Sequence, residues 1–252
     1  MYFNKSSVVS ALACASAAMG LSIPEVAHEH NKRDDSFANG IKLRIMPLGA
    51  SITHGYLSTD GNGYRDVLRT SIVDGGNDVD MVGNNPEGEM EDNDNEGWPG
   101  YILDQVRDKA KTSAPQHRPN VYLINAGTND CVRSIDIDNA GDRVEDLVNL
   151  LYDTGSEATV LLSTLLVNGN DTAEANVLKI NEQIKQLVSD HQDAGHPIVL
   201  VDFHGDDGLT LDDIRSDGTH PTDAGYAKMA PFWIKGLREA DDKGFLQAAV
   251  DV

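Results

Sequence analysis

Cysteine is nearly absent from this chain: among 252 residues only Cys14 and Cys131 occur. Cys14 falls in a leader-like segment, so the body of the chain keeps Cys131 alone and can form no intrachain disulfide. A fold without such staples must rest on a hydrophobic core, and Cys131 reads as a small buried apolar group within it. Basic residues are scarce as well. Twenty Lys and Arg face 41 Asp and Glu, a formal net charge of −21. Such a surface repels nucleic acid and anionic membranes, so neither is an expected partner. No stretch after the leader approaches the ~20 apolar residues of a membrane helix. Aromatic residues make up 6% of the chain, and no extra apolar lid segment separates the core elements. No H-E-x-x-H motif or Cys/His cluster suggests zinc, so no metal or cofactor is expected. No G-x-S-x-G elbow is present either.

The N-terminus has the pattern of a secretory signal peptide. Lys5 supplies a positive n-region, "VVSALACASAA" a short apolar h-region, and Ala15 and Ala17 an A-x-A site. A polar spacer then ends in the dibasic pair Lys32-Arg33. The expected organisation is a signal peptide at 1–20, a propeptide at 21–33 and a single domain at 34–252. The expected location is extracellular, and the expected state is a monomer. A domain of this length can bury roughly 70% of its unfolded surface. Asn170-Asp171-Thr172 is a glycosylation sequon, read as an exposed loop. The run "DNDNE" at 92–96 could offer calcium oxygen ligands, but it lacks EF-hand spacing and reads rather as a solvated loop.

Five short apolar runs recur, at 41–48, 78–83, 121–127, 159–166 and 197–202. The last three are almost continuously apolar, as expected of strands covered on both faces. Between the final two, Val177, Ile180, Ile184, Leu187 and Val188 follow the 3-4 spacing of a helix with one buried face. Strand–helix alternation predicts right-handed crossovers and a parallel sheet with helices on both sides. Sites in such sheets lie at the carboxyl ends of the strands.

Polar residues gather at those ends. Ser51 follows the first run, flanked by Gly49 and Gly55. "NAGTNDC" sets Asn129 and Asp130 after the third, and "SDGTHPTDAGY" sets Asp217 three residues before His220. "NEGWPGYILDQV" sets Gly100 just before a helix. Nucleophilic acyl transfer needs these parts. A serine hydroxyl requires a base, for which His220 is the candidate. The base requires a partner on its other ring nitrogen, for which Asp217 is in reach. A tetrahedral oxyanion requires donors, and the N–H groups of Ser51 and Gly100 and the Asn129 amide are the candidates. Singly each has a bland reading, as a turn residue, a cap or a surface contact.

Together, "GASIT", Gly100, "GTND" and "DGTH" resemble blocks one, two, three and five of the SGNH (GDSL-like) hydrolase superfamily. The longer strings "GASITHGYLSTDGNGYR", "VDMVG", "DNDNEGWPGYILDQV" and "DGTHPTDAGYAKMA" resemble fungal members near carbohydrate esterase family 3, which includes acetyl xylan esterases. The likeness covers roughly residues 41 to 236. It implies a three-layer α/β/α sandwich with a five-stranded parallel sheet, the flavodoxin-like SGNH hydrolase fold, and metal-independent ester hydrolysis. It also implies Ser51, Gly100, Asn129 and His220 as the four named residues, with Asp217 as the triad acid. One departure is Ala50, where the superfamily often has aspartate.

On this reading the chain is an esterase that removes small acyl groups, acetyl first, from plant cell-wall polysaccharides or oligosaccharides such as xylan. A lipase- or lysophospholipase-like esterase and an inactive carbohydrate-binding protein are the alternatives. Tyr56 and Trp98 are candidates to line the acyl or sugar site, with core or rim packing as the competing reading. Three other histidines receive structural readings: His204 packs a loop, and His191 and His196 lie on the surface. His54 points away from Ser51 or lines the pocket.

Overall fold

The computed structural model describes residues 36–154 and 158–249. The expected leader, propeptide, dibasic pair and Cys14 lie outside them. Strand β1 (Leu43–Gly49) leads into the one-turn helix α1 (Ser51–His54) and then α2 (Arg65–Gly75). Strands β2 (Val79–Met81) and β3 (Glu96–Gly97) precede α3 (Leu103–His117). Next come β4 (Val121–Asn125), α4 (Thr128–Arg133), α5 (Ala140–Asp153) and β5 (Thr159–Ser163). Helix α6 (Asp171–Asp193), β6 (Ile198–Val201) and α7 (Asp223–Asp242) complete the domain.

The strands are parallel, in the order β2-β1-β4-β5-β6. Alternate side chains face opposite layers, as the two-residue strand period requires. Met46, Leu48, Tyr122, Ile124, Val160 and Leu162 pack under α3, α5 and α6. Leu43, Ile45, Val121, Leu123 and Leu161 pack under α2 and α7. The stripe Val177, Ile180, Ile184, Leu187 and Val188 is the buried face of α6. Removing one such side chain to Ala costs about 2–5 kcal/mol through lost burial and a residual cavity.

Two expectations change here. The 92–96 run is not a solvated loop: Asn95 and Glu96 are fully buried, and β3 pairs with Leu48 and Gly49 of β1. Strand β2 pairs only with residues 43–45 of β1, so β3 takes the ladder that β2 leaves open. Two carboxylates of the run, Asp92 and Glu96, serve protein donors. Asp92 meets Arg69 at 3.0 Å and accepts the Met81 N–H, while Glu96 accepts the Trp98 indole N–H at 2.7 Å. His191, expected at the surface, is buried. It continues the α6 stripe by one more turn, and its Nδ1 lies 2.7 Å from that of His196.

Candidate active site

The strand order reverses direction between β1 and β4: the chain moves outward to β2, then crosses to β4 on the other side of β1. This is the switch point at which loops diverge and leave a crevice. Ser51 follows β1 there, and Asn129 follows β4.

Ser51 is held by its glycines. A Cβ on Gly49 would overlap the Asn125 carbonyl oxygen and Thr53 Oγ1, so only glycine lets β1 end this close to β4. Gly55 caps α1 in the left-handed region. Ser51 thus opens a one-turn helix, and its backbone N–H has no intrahelical acceptor. Its side chain is almost buried, and its Oγ lies 2.9 Å from His220 Nε2.

His220 sits on a loop pinned at both ends. Arg215 N–H donates to the His220 carbonyl, Thr222 N–H to the Asp213 carbonyl, and Ile214 bridges Pro221. Gly169 N–H donates to the Gly218 carbonyl at 2.7 Å, docking this loop on the one that follows β5. The other ring nitrogen, Nδ1, lies 2.7 Å from Asp217 Oδ2. Asp217 Oδ1 also accepts the N–H groups of Thr219 and His220, each at 3.0 Å. Partial burial pushes the Asp217 carboxyl upward, but these N–H donors and the ring outweigh it and hold it below the usual carboxylate range. An ionised Asp217 can only accept, so Nδ1 carries the proton and Nε2 is the acceptor for the Ser51 hydroxyl.

The donor side is equally fixed. Trp98 N–H donates to the Gly49 carbonyl, and Asn129 Nδ2 donates to the Tyr101 carbonyl at 2.9 Å. These bonds hold the 98–102 turn, with Gly100 at φ +83°, against both β1 and α4. Beneath it Asp130 is fully buried. It accepts the Leu103 N–H that opens α3 and meets Arg143 Nη2 at 2.7 Å. The "GTND" motif placed Asp130 beside Asn129, but nothing in the sequence paired it with Arg143.

A cleft of about 460 Å³ joins these groups, lined by Ser51, His220, Asp217, Gly100, Asn129 and Tyr56, with Pro99, Val132 and Thr219. The Tyr56 ring stands edge-on to the His220 ring at 5.1 Å. Trp98 is not brought to this cleft. Its indole is committed to Glu96, stacks on Tyr101 and carries Lys109 Nζ 3.6 Å above the ring. His54 approaches Glu87 at 3.8 Å, and His204 pairs with Glu174 at 2.7 Å. Asn170 is exposed, and its side chain caps α6 by accepting the N–H groups of Thr172 and Ala173. Among the described residues no group of three or more His, Cys, Asp or Glu is arranged to hold a metal ion.

Comparison with known proteins matches residues 48–228 to the GDSL-like Lipase/Acylhydrolase family. A curated relative, the multidomain esterase of Ruminococcus flavefaciens, is 28% identical over 82% of this chain; the match spans 29% of that longer protein. Among solved structures, a Clostridium thermocellum family 3 carbohydrate esterase superposes with TM-score 0.70 at 23% identity, covering 79% of this chain and 99% of that one. A carbohydrate esterase family 3 protein from Talaromyces cellulolyticus gives 0.69 at 22% identity, with 81% and 99% covered. A lipase/acylhydrolase from Enterococcus faecalis gives 0.62 at 18%, with 83% and 100% covered. At these identities the superpositions establish a shared fold.

Proposed function

Because the chain belongs to the GDSL-like lipase/acylhydrolase family, and so is a carboxylic ester hydrolase, we propose that it is a secreted serine esterase removing acetyl groups from cell-wall glycans such as xylan. The observation that carries the catalytic assignment is the hydrogen-bonded series Ser51 Oγ, His220 Nε2, His220 Nδ1, Asp217 Oδ2, spaced 2.9 Å and 2.7 Å, at the β1/β4 switch point.

The chemistry follows from those protonation states. Ser51 Oγ bonds the acyl carbon as its proton passes to His220 Nε2. The imidazolium is stabilised by ionised Asp217. Charge moves to the former carbonyl oxygen, where the N–H groups of Ser51 and Gly100 and the Asn129 amide receive it. Collapse breaks the bond to the leaving alcohol, which takes the proton from Nε2. Water then attacks the acyl-enzyme by the same route, with His220 taking and returning a proton, and acetate leaves.

The acyl preference rests on the shape of the cleft. The cleft is open to solvent, and Tyr56 and Val132 on its lining are about half exposed. Each buried CH₂ returns about 0.8 kcal/mol only where it is covered. A long acyl chain would remain largely wet here, whereas an acetyl methyl needs one small contact. The likeness of the fold to family 3 carbohydrate esterases supports the glycan side of the reading. The test is kcat/KM for acetyl against octanoyl esters of one leaving group, with acetylated xylan beside them. Acetyl should win. An octanoyl preference of tenfold or more favours a lipid esterase instead. Ser51→Ala should abolish turnover in every case while staying folded, and near-normal activity would remove Ser51 as nucleophile.

A further inference from the structure

Tyr56 is a wall of two clefts. One holds Ser51 and His220; the other, about 570 Å³, shares Tyr56 with it and lies between the 54–61 and 86–93 loops. That volume is within the range of small-molecule sites. Its walls are fixed from beneath. Arg65, fully buried at the start of α2, donates to the carbonyls of His54 and Gly61 on one loop and of Glu87 and Asn93 on the other. The rim is fixed as well. Tyr226 Oη–H donates to the Tyr56 carbonyl at 2.8 Å, and Thr59 donates its N–H and hydroxyl to Asp223. Leu57 stays exposed in the left-handed region at φ 66°, a conformation a leucine keeps only when its surroundings impose it.

The lining chemistry is that of an uncharged, hydroxyl-rich ligand. Tyr56 and Leu57 offer apolar surface, and Asp60, Glu87, Glu89 and Asn93 offer acceptors. Among the described residues no Lys or Arg lines the cleft. The Arg65 guanidinium beneath is engaged by four carbonyls, and burial lowers the affinity of the lining His54 for its proton. Sugar hydroxyls would donate to the carboxylates in charge-assisted bonds. A uronate carboxylate would meet like charge and no counterion, which is discrimination by repulsion.

We propose that this second cleft at Tyr56 is a glycan subsite that holds neutral sugar units next to the acylated one and rejects chains carrying a uronic acid there. This rests on the glycan-ester reading above. The test compares kcat/KM for a neutral acetylated xylo-oligosaccharide, the matched oligosaccharide with a uronic acid branch beside the acetylated unit, and 4-nitrophenyl acetate. The neutral glycan should be favoured over the branched one on the order of tenfold at low salt, with the ratio shrinking as salt is raised. Glu87→Lys/Glu89→Lys should reduce or invert that ratio. Equal turnover of both glycans by the native enzyme overturns the subsite. So does a ratio unchanged by salt or by the folded double variant. Should that variant not fold, the salt series on the native enzyme decides alone. Hydrolysis of 4-nitrophenyl acetate but of neither glycan refutes the glycan-ester reading itself.

Discussion

Asp217→Asn separates the acid's electrostatic work from its structural work. Asparagine keeps an Oδ1 able to accept the Thr219 and His220 N–H groups, so the loop should hold its shape. Its amide would face His220 Nδ1 as a donor, where Oδ2 now accepts at 2.7 Å. The ring would then favour the tautomer with the proton on Nε2, which cannot accept from Ser51. Two costs add. A unit charge pair at 4 Å is worth about 1 kcal/mol in water and about 4 kcal/mol near a protein surface. With the Asp217 side chain 39% exposed and the His220 side chain 16%, the pair lies between these limits, at about 2 kcal/mol or ~30-fold in kcat. Reversing the tautomer forfeits about one more hydrogen bond, roughly 1 kcal/mol. The expected loss is therefore on the order of 100-fold at every pH, smaller than the ~10⁴ found where the acid is fully buried. The assay is steady-state kcat with an acetyl ester, beside ¹⁵N NMR of the His220 ring to identify the tautomer. A kcat within about threefold of native, or a fully active variant with the proton on Nε2, would refute the reasoning.

Three further expectations follow from other contacts. Asn129→Ala should lower kcat on the order of 100-fold with KM little changed, the loss of one oxyanion donor worth about 3 kcal/mol; an unchanged kcat removes Asn129 from that role. Burial pushes the Asp202 carboxyl upward, but Thr164, the His204 N–H and Lys185 hold it below the usual range, so its stabilisation is complete above about pH 4 and lost as pH falls through its native value. The stability gap between native protein and Asp202→Asn, read from denaturant unfolding and on the order of 1 kcal/mol given partial exposure, should thus be open at pH 7 and narrow as pH falls below about 4; a gap constant with pH contradicts this. Burial drives the Cys131 thiol up to about 12, so iodoacetamide at pH 8 should label it only as fast as the domain opens; rapid labelling of folded protein would contradict that burial.

The strands that carry the site were legible because they are buried on both faces. Continuous runs such as "VYLIN" and "TVLLS" leave no polar alternation to confuse, and both are fully buried strands. Asn129 stands at the end of one such run and Ser51 at the end of the first, whereas His220 lies on a loop well past β6 and is marked by its spacing to Asp217 and by the likeness of "DGTH" to block five. What escaped depended on partners far apart in sequence. β3 is two residues long and exists because β2 leaves β1 unpaired. Asp130 and Arg143, or Arg65 and the four carbonyls it binds, are joined only by the tertiary fold. His191 differs, since its place at a helix end suggests the surface, whereas its spacing continues the buried α6 stripe.

Ala50 shows how the pinning works without the aspartate common at that position. Its side chain is buried, makes no cap bond and cannot orient anything by hydrogen bonding. The backbone does so instead. The Ala50 carbonyl accepts the His54 N–H, the Gly49 carbonyl accepts the Trp98 N–H, and the Ser51 carbonyl accepts the Tyr56 N–H, each at 3.0 Å. The first and third close α1 around Ser51, and the second ties its strand end to the turn that carries Gly100. Ser51 and two of the proposed oxyanion donors are therefore set by main-chain bonds in which the side chain at position 50 takes no part. Preorganised donors act because they need not reorient as charge develops, and main-chain bonds within a buried sheet end are among the least mobile ways to fix them.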